Sequence, residues 1–427
     1  MIEVLSKIRS GYIRLSATDI SVRNRILDDI ILNIEKYKDD ILNENSRDIK
    51  EAEKNDIEKP ILKRLELSES KLKDIINGLK GLIELDDPIN RVISKTLLDE
   101  GLVLSKVTVP IGVIGVVFEA RPDALIQIGA LCIKSGNAAI LKGGSEAKFT
   151  NKYLYNLIRN SIERVSPELI DIIYLIDSRD AVKELLSYDR FVDLIIPRGS
   201  NEFVGYIKNN TNIPVMGHAD GICHIFVDRF ADIEKALRVC NDAKTQYVAV
   251  CNAMETLLVD SSVAEKFLPA MKLIFDKSGV RLKGDKKTCQ ILQGIESADE
   301  SDWSTEYLDY ILSIKIVDGI EEAIEHINKY GSKHTDGIIT EDINNKTMFK
   351  KLVDTSSVVI NCSTRFADGY RYGFGAEVGI STSKIHARGP VGLDGLIIYK
   401  YELEGQGHIV SDYSGENAKG YIHRKLT

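Results

Sequence analysis

From Val109 onward, short apolar runs alternate with helical patterns, and this alternation constrains the fold more than any other feature of the sequence. Each run is rich in Val, Ile and Leu, which is typical of parallel strands covered on both faces. The predicted strands are residues 113–117, 138–142, 172–176, 192–196 and 222–227, and the predicted helices are residues 123–134, 146–164, 179–186 and 201–207. This order predicts a doubly wound α/β domain of the Rossmann type.

Two strand-to-helix junctions of this domain have features of a nucleotide site. Leu-Lys-Gly-Gly-Ser-Glu (141–146) follows the second strand, and Ile-Pro-Arg-Gly-Ser (196–200) follows the fourth. A lysine there can bind a ribose hydroxyl or a 2′-phosphate, glycines permit close backbone approach, and a helix N-terminus favours a pyrophosphate. Either junction alone also fits an ordinary turn, and no G-x-G-x-x-G motif follows a strand. Together, at the carboxyl edge of one sheet, they predict cofactor contacts at Lys142, Gly144, Ser145, Gly199 and Ser200.

The rest of the chain divides into recognisable regions. The first ninety residues are predicted to be helical, with apolar stripes that pack on a sheet, at Ile26, Ile30, Ile34, Tyr37 and Ile41 and at Leu72, Ile75, Ile76, Leu79 and Leu82. Alternating residues around Gly101 predict a projecting hairpin over 91–108. We predict a cofactor-binding domain over 1–228 that carries this hairpin, a second α/β, catalytic domain over 229–385, and a C-terminal return with a final strand over 386–427.

Composition argues against several partners and compartments. The formal net charge of −8 argues against nucleic acid or an anionic membrane, because both are bound through basic patches. No apolar run approaches the roughly 20 residues that span a bilayer, and the N-terminus lacks a signal-peptide pattern, so a cytoplasmic protein is predicted. The six cysteines are scattered, without a CxxC pair or histidines at zinc spacing, so neither a disulfide framework nor a metal site is predicted.

Cys251 lies in a predicted connection between a helix and a strand. Apolar residues recur at helical spacing from Ile233 to Ala243, and residues 256–259 favour a strand. A thiol held in a loop near backbone N–H groups can attack a carbonyl as the thiolate. The commoner fate of a free cysteine is burial as a small apolar side chain, and the local sequence does not decide between the two.

Three segments carry a resemblance to a known family. They are Phe-Glu-Ala-Arg-Pro-Asp at 118–123, Cys-Asn-Ala-Met-Glu-Thr-Leu-Leu-Val at 251–259, and the block at 363–390, a long loop of the kind that is usually functional. In these segments, and over nearly the whole chain, the sequence resembles the gamma-glutamyl phosphate reductases of the aldehyde dehydrogenase superfamily. The resemblance implies an aldehyde dehydrogenase-like α/β fold and a homo-oligomer, with the hairpin and the final strand serving assembly.

The same resemblance implies an activity in L-proline biosynthesis. L-glutamyl 5-phosphate would be reduced by NADPH to L-glutamate 5-semialdehyde, with release of phosphate and a thioester intermediate on Cys251. Asn252 would assist the nucleophile. The two cofactor turns would contact NADPH, and Glu306 would reach the nicotinamide ribose, although a solvated surface acid is the commoner fate of glutamate.

Cations are needed to recognise the phosphate and the carboxylate of such a substrate. Arg121 and Arg365 are the leading candidates, because a guanidinium fork matches either group. Arg371 and Lys384 are further candidates.

Two positions depart from the pattern of broad-range aldehyde dehydrogenases. An oxyanion-holding asparagine of those enzymes is replaced by Ala120, so that role passes to backbone N–H groups near Cys251 or to Asn252. The glutamate base of their E-L-G-G-K run has no counterpart in Gly-His-Ala-Asp-Gly at 217–221, which suits a reduction that needs no hydrolysis. His218 is a substitute base in principle, but the sequence favours a structural role for it.

Other functions stay open at this point. A water-using aldehyde dehydrogenase would need no phosphate, and a CoA-acylating aldehyde dehydrogenase would need CoA. A non-catalytic scaffold on the same fold would lack a reactive thiol. The sequence does not decide whether the cofactor is NADPH or NADH, and it does not give the number of subunits. A contact with the glutamate 5-kinase that makes the labile substrate also stays open.

Overall fold

The computed structural model describes residues 1–57, 59–119, 121–176, 178–199, 201–218 and 220–427. The strands are β1 (Val92–Asp99), β2 (Leu102–Pro110), β3 (Val113–Phe118), β4 (Ala138–Lys142), β5 (Ile173–Leu175), β6 (Leu194–Arg198), β7 (Cys223–Val227), β8 (Met254–Asp260), β9 (Arg281–Gly284), β10 (Glu296–Ser297), β11 (Ile311–Val317), β12 (Thr335–Ile339), β13 (Ser357–Ile360), β14 (Gly379–Ser381), β15 (Gly389–Val391), β16 (Ile397–Glu404) and β17 (Arg424–Lys425).

The helices follow the predicted amphipathic segments closely. They are α1 (Ile2–Ser16), α2 (Ile20–Lys36), α3 (Lys38–Lys54), α4 (Lys59–Leu65), α5 (Glu69–Glu84), α6 (Pro122–Lys134), α7 (Lys148–Val165), α8 (Arg179–Leu185), α9 (Asn201–Asn209), α10 (Ile233–Thr245), α11 (Ser261–Lys277), α12 (Lys286–Ile291), α13 (Ile320–Tyr330) and α14 (Ile343–Leu352). Among the described residues, no helix is both long and apolar enough to cross a bilayer.

The first sheet is parallel, with strand order β5-β4-β3-β6. Its strands lie where they were predicted, except that the fourth is displaced by two residues towards the C-terminus. Helices α1, α6 and α7 pack on the sheet.

The N-terminal helices form a second layer outside the first sheet. Helices α2 and α5 pack mainly against α6 and α7, so the prediction that the N-terminal stripes lie on a sheet was wrong. An amphipathic face indicates that a helix is covered but does not identify its cover. The first stripe is also divided between two helices, because the backbone breaks at Tyr37.

The second sheet is also parallel, with strand order β10-β9-β11-β8-β7-β12-β13. We predicted residues 222–227 as the fifth strand of the first sheet, and this was wrong. Strand β7 pairs with β8 on one side and with β12 on the other. Every residue of β7 is buried, and a strand covered on both faces fits the interior of either sheet, so its composition did not identify its neighbours. The first sheet therefore ends before Cys223 rather than at residue 228.

A third sheet is antiparallel, with strand order β16-β2-β1-β17. Strands β1 and β2 form the predicted hairpin around Gly101, whose φ of 75° suits the turn. Strand β16, the predicted final strand, pairs with β2 along its whole length. After Ile397 its side chains are exposed on both faces, including Tyr401 and Leu403.

Buried histidines lie on one side of the second sheet. The His326 ring is 5.6 Å from that of His224 and 5.4 Å from that of Trp303, centroid to centroid. His326 is buried, and its Nε2 has no hydrogen-bond partner among the described residues. Burial, reinforced by His224, lowers the pKa of His326 to about 2.

We predict that His326 makes the protein acid-sensitive. Below the ordinary pKa of 6.5 the unfolded ring takes up a proton that the folded ring refuses, so the free energy of unfolding falls as the pH falls. His326→Asn should reduce this loss by about 1.4 kcal/mol per pH unit between roughly pH 6 and 4. Urea unfolding across this range measures the slope, with the exposed His423→Asn as a control that should leave it unchanged. Equal slopes for wild type and His326→Asn would contradict the prediction.

Candidate active site

The connection between α10 and β8 holds Cys251 in an irregular, half-buried segment, as the sequence predicted. The flanking elements are joined by a fully buried ion pair in which Lys244 Nζ lies 2.6 Å from Glu255 Oε2. The N–H of Leu308 donates to the other carboxylate oxygen at 3.2 Å. Burial raises the pKa of Glu255 to about 7, against the pull of the ammonium group. The pair ties together the two ends of the cysteine segment.

The backbone of Cys251 rests directly on Gly221. A Cβ at position 221 would lie 2.1 Å from the Cys251 carbonyl oxygen and 2.5 Å from its Cβ. The thiol of Cys223 donates to the same carbonyl oxygen at 3.2 Å. These contacts allow only glycine at position 221 without movement of the cysteine segment.

Two imidazoles lie beside the sulfur. The Sγ of Cys251 and a ring nitrogen from each of His218 and His334 all lie within 4.8 Å of one another. His218 Nδ1 is 2.9 Å from the carbonyl oxygen of Ile380. Because a carbonyl only accepts, Nδ1 carries the hydrogen and Nε2 carries a lone pair. Burial lowers the pKa of His218, which keeps the ring neutral at pH 7.

Arginines surround the same sulfur. Arg365 is buried, its Nε donates to Gln246 Oε1 at 3.0 Å, and its carbonyl oxygen accepts from Arg371 Nη1 at 2.9 Å. Burial and then the neighbouring Arg371 lower the pKa of Arg365. Burial and then the neighbouring Arg121 lower the pKa of Arg198. Arg198 and Arg365 each lie near enough to Cys251 to interact with it, so these two residues and Arg121, which is beside Arg198, form a cationic cluster near the cysteine segment.

The two weaker cation candidates are engaged elsewhere. Arg371 lies 3.8 Å from Asp368, in addition to its bond to the Arg365 carbonyl. Lys384 lies 2.8 Å from Asp354, which Arg388 also contacts. The Lys384 hydrogen bond is the main reason that the pKa of Asp354 falls to about 2. Lys384 therefore belongs to a structural cluster.

Asn252 is buried and faces the 363–390 block. Its Nδ2 donates to the carbonyl oxygen of Ala367 at 2.9 Å. The N–H of Ala253 closes a turn onto Val250, whereas among described residues the N–H groups of Cys251 and Asn252 donate to no protein acceptor. Those two N–H groups can serve an oxyanion. Ala120, where broad-range aldehyde dehydrogenases have an asparagine, lies outside the described residues.

The two predicted cofactor turns lie at one edge of the first sheet. Strands β4 and β6 flank β3, where Lys142 is paired with Val117 and Arg198 with Phe118. Two strand spacings separate the turns by about 10 Å, so one extended dinucleotide can contact both. Ser145 begins the short helical turn after β4, and Ser200 lies outside the described residues.

Carboxylate side chains lie closest to the predicted glycines at these turns. A Cβ at Gly144 would lie 1.8 Å from Glu146 Oε1, and one at Gly199 would lie 2.6 Å from Glu119 Oε2. A residue larger than glycine would therefore displace these carboxylates. Glycine turns, a lysine and a helix N-terminus at this edge are residue types that can hold a nicotinamide dinucleotide.

Glu306 joins the cofactor edge to the cysteine segment. Its Oε2 accepts from Asn201 Nδ2 at 3.3 Å, at the start of α9, and the N–H of Gly221 lies near its carboxylate. Burial raises the pKa of Glu306, while the neighbouring His218 opposes the shift. Glu306 is half-buried between the two sheets, so it is not the solvated surface acid that the sequence left open as an alternative.

Two residues of the site were not singled out from the sequence. Arg198 precedes the predicted glycine turn and lies within electrostatic range of Cys251. His334 is separated from Cys251 by 83 positions, so no local motif could have brought them together. His218 was interpreted as structural because its neighbours were unknown, and the structure places it beside the thiol.

Comparison with known proteins identifies the family. Residues 7–288 match the model of the aldehyde dehydrogenase family, which is more than half of the chain. The chain belongs to the aldehyde dehydrogenase family of oxidoreductases.

The relatives narrow this assignment. The chain is 53% identical over 426 residues to a gamma-glutamyl phosphate reductase of Acetivibrio thermocellus, covering 99% of this chain and 98% of that one. It is 52% identical over 426 residues to one of Pelotomaculum thermopropionicum, covering 100% and 98%. The crystal structure of gamma-glutamyl phosphate reductase from Thermotoga maritima superposes with a TM-score of 0.93 at 37% identity, covering 96% and 99%. Within the family, the chain groups with the gamma-glutamyl phosphate reductases, which confirms the resemblance and the predicted fold.

A more distant structure agrees in fold alone. Glyceraldehyde-3-phosphate dehydrogenase GapN of Methanocaldococcus jannaschii, complexed with NADP, superposes with a TM-score of 0.66 at 18% identity, covering 95% of this chain and 94% of that one.

We predict that Gly221→Ala destabilises the protein by about 1 to 3 kcal/mol, because the added carbon meets backbone that must shift. The matched control is Gly78→Ala in α5, where nothing lies within 4 Å of the new carbon and a gain of about 0.5 to 1 kcal/mol is expected. Denaturant unfolding followed by the fluorescence of the single tryptophan, Trp303, measures both. Unchanged or increased stability for Gly221→Ala would show that the close contact with Cys251 is absent.

Proposed function

We propose that the chain reduces L-glutamyl 5-phosphate with NADPH to L-glutamate 5-semialdehyde and phosphate, a step of L-proline biosynthesis. The observation that carries the proposal is the setting of Cys251, a half-buried thiol beside a neutral imidazole and the guanidinium groups of Arg198 and Arg365. The names of the full-length relatives support this choice of substrate.

The first half of the reaction transfers the acyl group to sulfur. His218 Nε2 accepts the thiol proton, and the Cys251 sulfur attacks the acyl carbon. The N–H groups of Cys251 and Asn252 hold the oxyanion that forms. The carbon–oxygen bond to phosphate then breaks, phosphate leaves with the electron pair, and a thioester remains on Cys251.

The second half reduces the thioester. Lys142 and the turns at Gly144 and Gly199 would hold NADPH, which would supply the hydride that reduces the acyl carbon. The carbon–sulfur bond of the resulting thiohemiacetal then breaks, the electron pair returns to the Cys251 sulfur, and the aldehyde is released.

The cationic cluster provides recognition of the acyl phosphate. Arg365 uses its Nε on Gln246, so the terminal nitrogens of its fork stay available to a bidentate phosphate or carboxylate. Arg198, at the end of β6 in the first sheet, and its neighbour Arg121 add positive charge. This local charge counters the overall negative charge of the chain when a dianionic group approaches.

We predict that Cys251→Ala abolishes oxidation of glutamate 5-semialdehyde with NADP⁺ and inorganic phosphate, the reverse reaction, because no thioester can form. Cys289→Ala, at a half-buried cysteine of α12, should keep wild-type activity. Turnover is measured as the increase in NADPH absorbance under three conditions: with phosphate, with CoA in place of phosphate, and with neither. Turnover by Cys251→Ala would falsify the nucleophile assignment. If the wild-type protein instead requires CoA, it is a CoA-acylating dehydrogenase, and if it turns over without either phosphate or CoA, it is a water-using dehydrogenase.

We predict that Arg365→Gln raises the KM for inorganic phosphate in this assay by about 10- to 100-fold, as expected for loss of a hydrogen bond from a charged donor. The KM for NADP⁺ should change little, because Arg365 follows a strand of the second sheet, whereas the proposed cofactor turns belong to the first sheet. Lys384→Gln is the control, since its ammonium lies in the Asp354 cluster. If Arg365→Gln alters only the NADP⁺ dependence, the arginine serves the cofactor instead.

We also propose that the chain forms a homo-oligomer through β16. Its residues Ile398, Tyr399, Tyr401 and Leu403 are exposed on a regular strand. Large exposed apolar side chains on a strand at a sheet edge favour pairing with a second copy. The double variant Tyr401→Lys/Leu403→Lys should lower the mass in sedimentation equilibrium, whereas Leu273→Lys, at an exposed position of α11, should not. A monomeric wild type would exclude the proposal.

A further inference from the structure

The group formed by His218, Cys251 and His334 has a composition that the proposed reaction does not require. One thiol and one imidazole suffice to form and release a thioester. The structure adds a second imidazole, with ligand atoms of all three residues within 4.8 Å of one another. His334 is fully buried, and its Nε2 has no hydrogen-bond partner among the described residues. This nitrogen is therefore available to a ligand, and unlike that of His326 it belongs to a ring that lies beside a thiol and a second imidazole.

Both rings are held in the orientation that metal-binding histidines adopt. His218 Nδ1 donates to the Ile380 carbonyl at 2.9 Å, and His334 Nδ1 lies 2.9 Å from Thr335 Oγ1. Metal-ligating histidines use one ring nitrogen for such an outer contact, and the other nitrogen binds the ion. Here the remaining nitrogen is Nε2 in each ring.

The distances fit a small tetrahedral ion after a modest adjustment. Zinc bonds of about 2.3 Å to sulfur and 2.0–2.1 Å to nitrogen put tetrahedral ligand atoms about 3.3 to 3.6 Å apart. The observed spacing of up to 4.8 Å requires closure by about 1 Å. Cys251 lies in an irregular segment, so rotation of its side chain can shorten the two sulfur–nitrogen distances, and a small shift of the imidazole rings would supply the rest.

We propose that Cys251, His218 and His334 form a reversible zinc site that switches the nucleophile off. Zn²⁺ would bind the sulfur and both imidazoles, the thiol proton would be released to solvent, and water would occupy the fourth position. Two imidazoles and a thiolate suit zinc better than the hard cations magnesium and calcium. Inhibition rests on the proposed function, because it requires Cys251 to be the nucleophile, whereas binding of the ion does not.

Binding is tested on the full-length, reduced and chelator-treated protein with Co²⁺ as a spectroscopic probe. One Co²⁺ per chain should produce a thiolate-to-cobalt charge-transfer band that Zn²⁺ abolishes by displacement. Cys251→Ser should lack the band, and His334→Asn should weaken binding by at least about 100-fold. Absence of the band in the wild type, or its persistence in Cys251→Ser, would overturn the proposal. Circular dichroism checks the fold, and His218→Asn takes the place of His334→Asn if the latter is unfolded.

Inhibition is tested separately. Zn²⁺ should slow both the phosphate-dependent assay and alkylation of Cys251, followed by mass spectrometry of its peptide, and a chelator should restore both. Protection from alkylation in a protein that has no phosphate-dependent activity would support the zinc site and reject the proposed function. Equal zinc sensitivity of wild type and His334→Asn in the alkylation measurement would reject the zinc site.

Discussion

The buried ion pair between Lys244 and Glu255 determines where the reactive sulfur lies. One partner ends α10, the other lies in β8, and neither is exposed to solvent. Breaking such a pair leaves a buried charge that costs roughly 3 to 5 kcal/mol, so the two ends of the cysteine segment are strongly held at a fixed separation. Within that span the chain needs no regular structure, which leaves the backbone N–H groups of Cys251 and Asn252 available for chemistry.

The candidate site draws on both parallel sheets, and each contributes different residue types. The first sheet brings Lys142, Arg198 and the glycine turns at its carboxyl edge, where open α/β sheets bind their ligands. The second contributes the cysteine segment and the buried Arg365. Glu306 connects the two through Asn201 and Gly221. The residues proposed to bind the cofactor, to attack the acyl group and to bind the substrate charge thus belong to separate elements, which come together only in the folded chain.

The sequence predicted local features well and long-range neighbours poorly. The strands of the first sheet, the hairpin and the loop position of Cys251 all follow from periodicity and turn residues within short windows. The sheet to which β7 belongs depends on pairing with β8 and β12, and no pattern inside a fully buried strand encodes its partner. For the same reason His334 and Arg198 were missed and His218 was interpreted as structural, since their roles depend on residues remote in the chain. The resemblance supplied what spacing could not, namely the substrate and the cofactor.

The contact between Gly221 and Cys251 has a mechanical consequence. Gly221 lies in the connection between α9, which follows the last strand of the first sheet, and β7 of the second sheet. The carbonyl of Cys251 is therefore packed directly against this connection between the two parallel sheets. Because no room is left between them, any shift of the connection would push on the backbone that carries the sulfur.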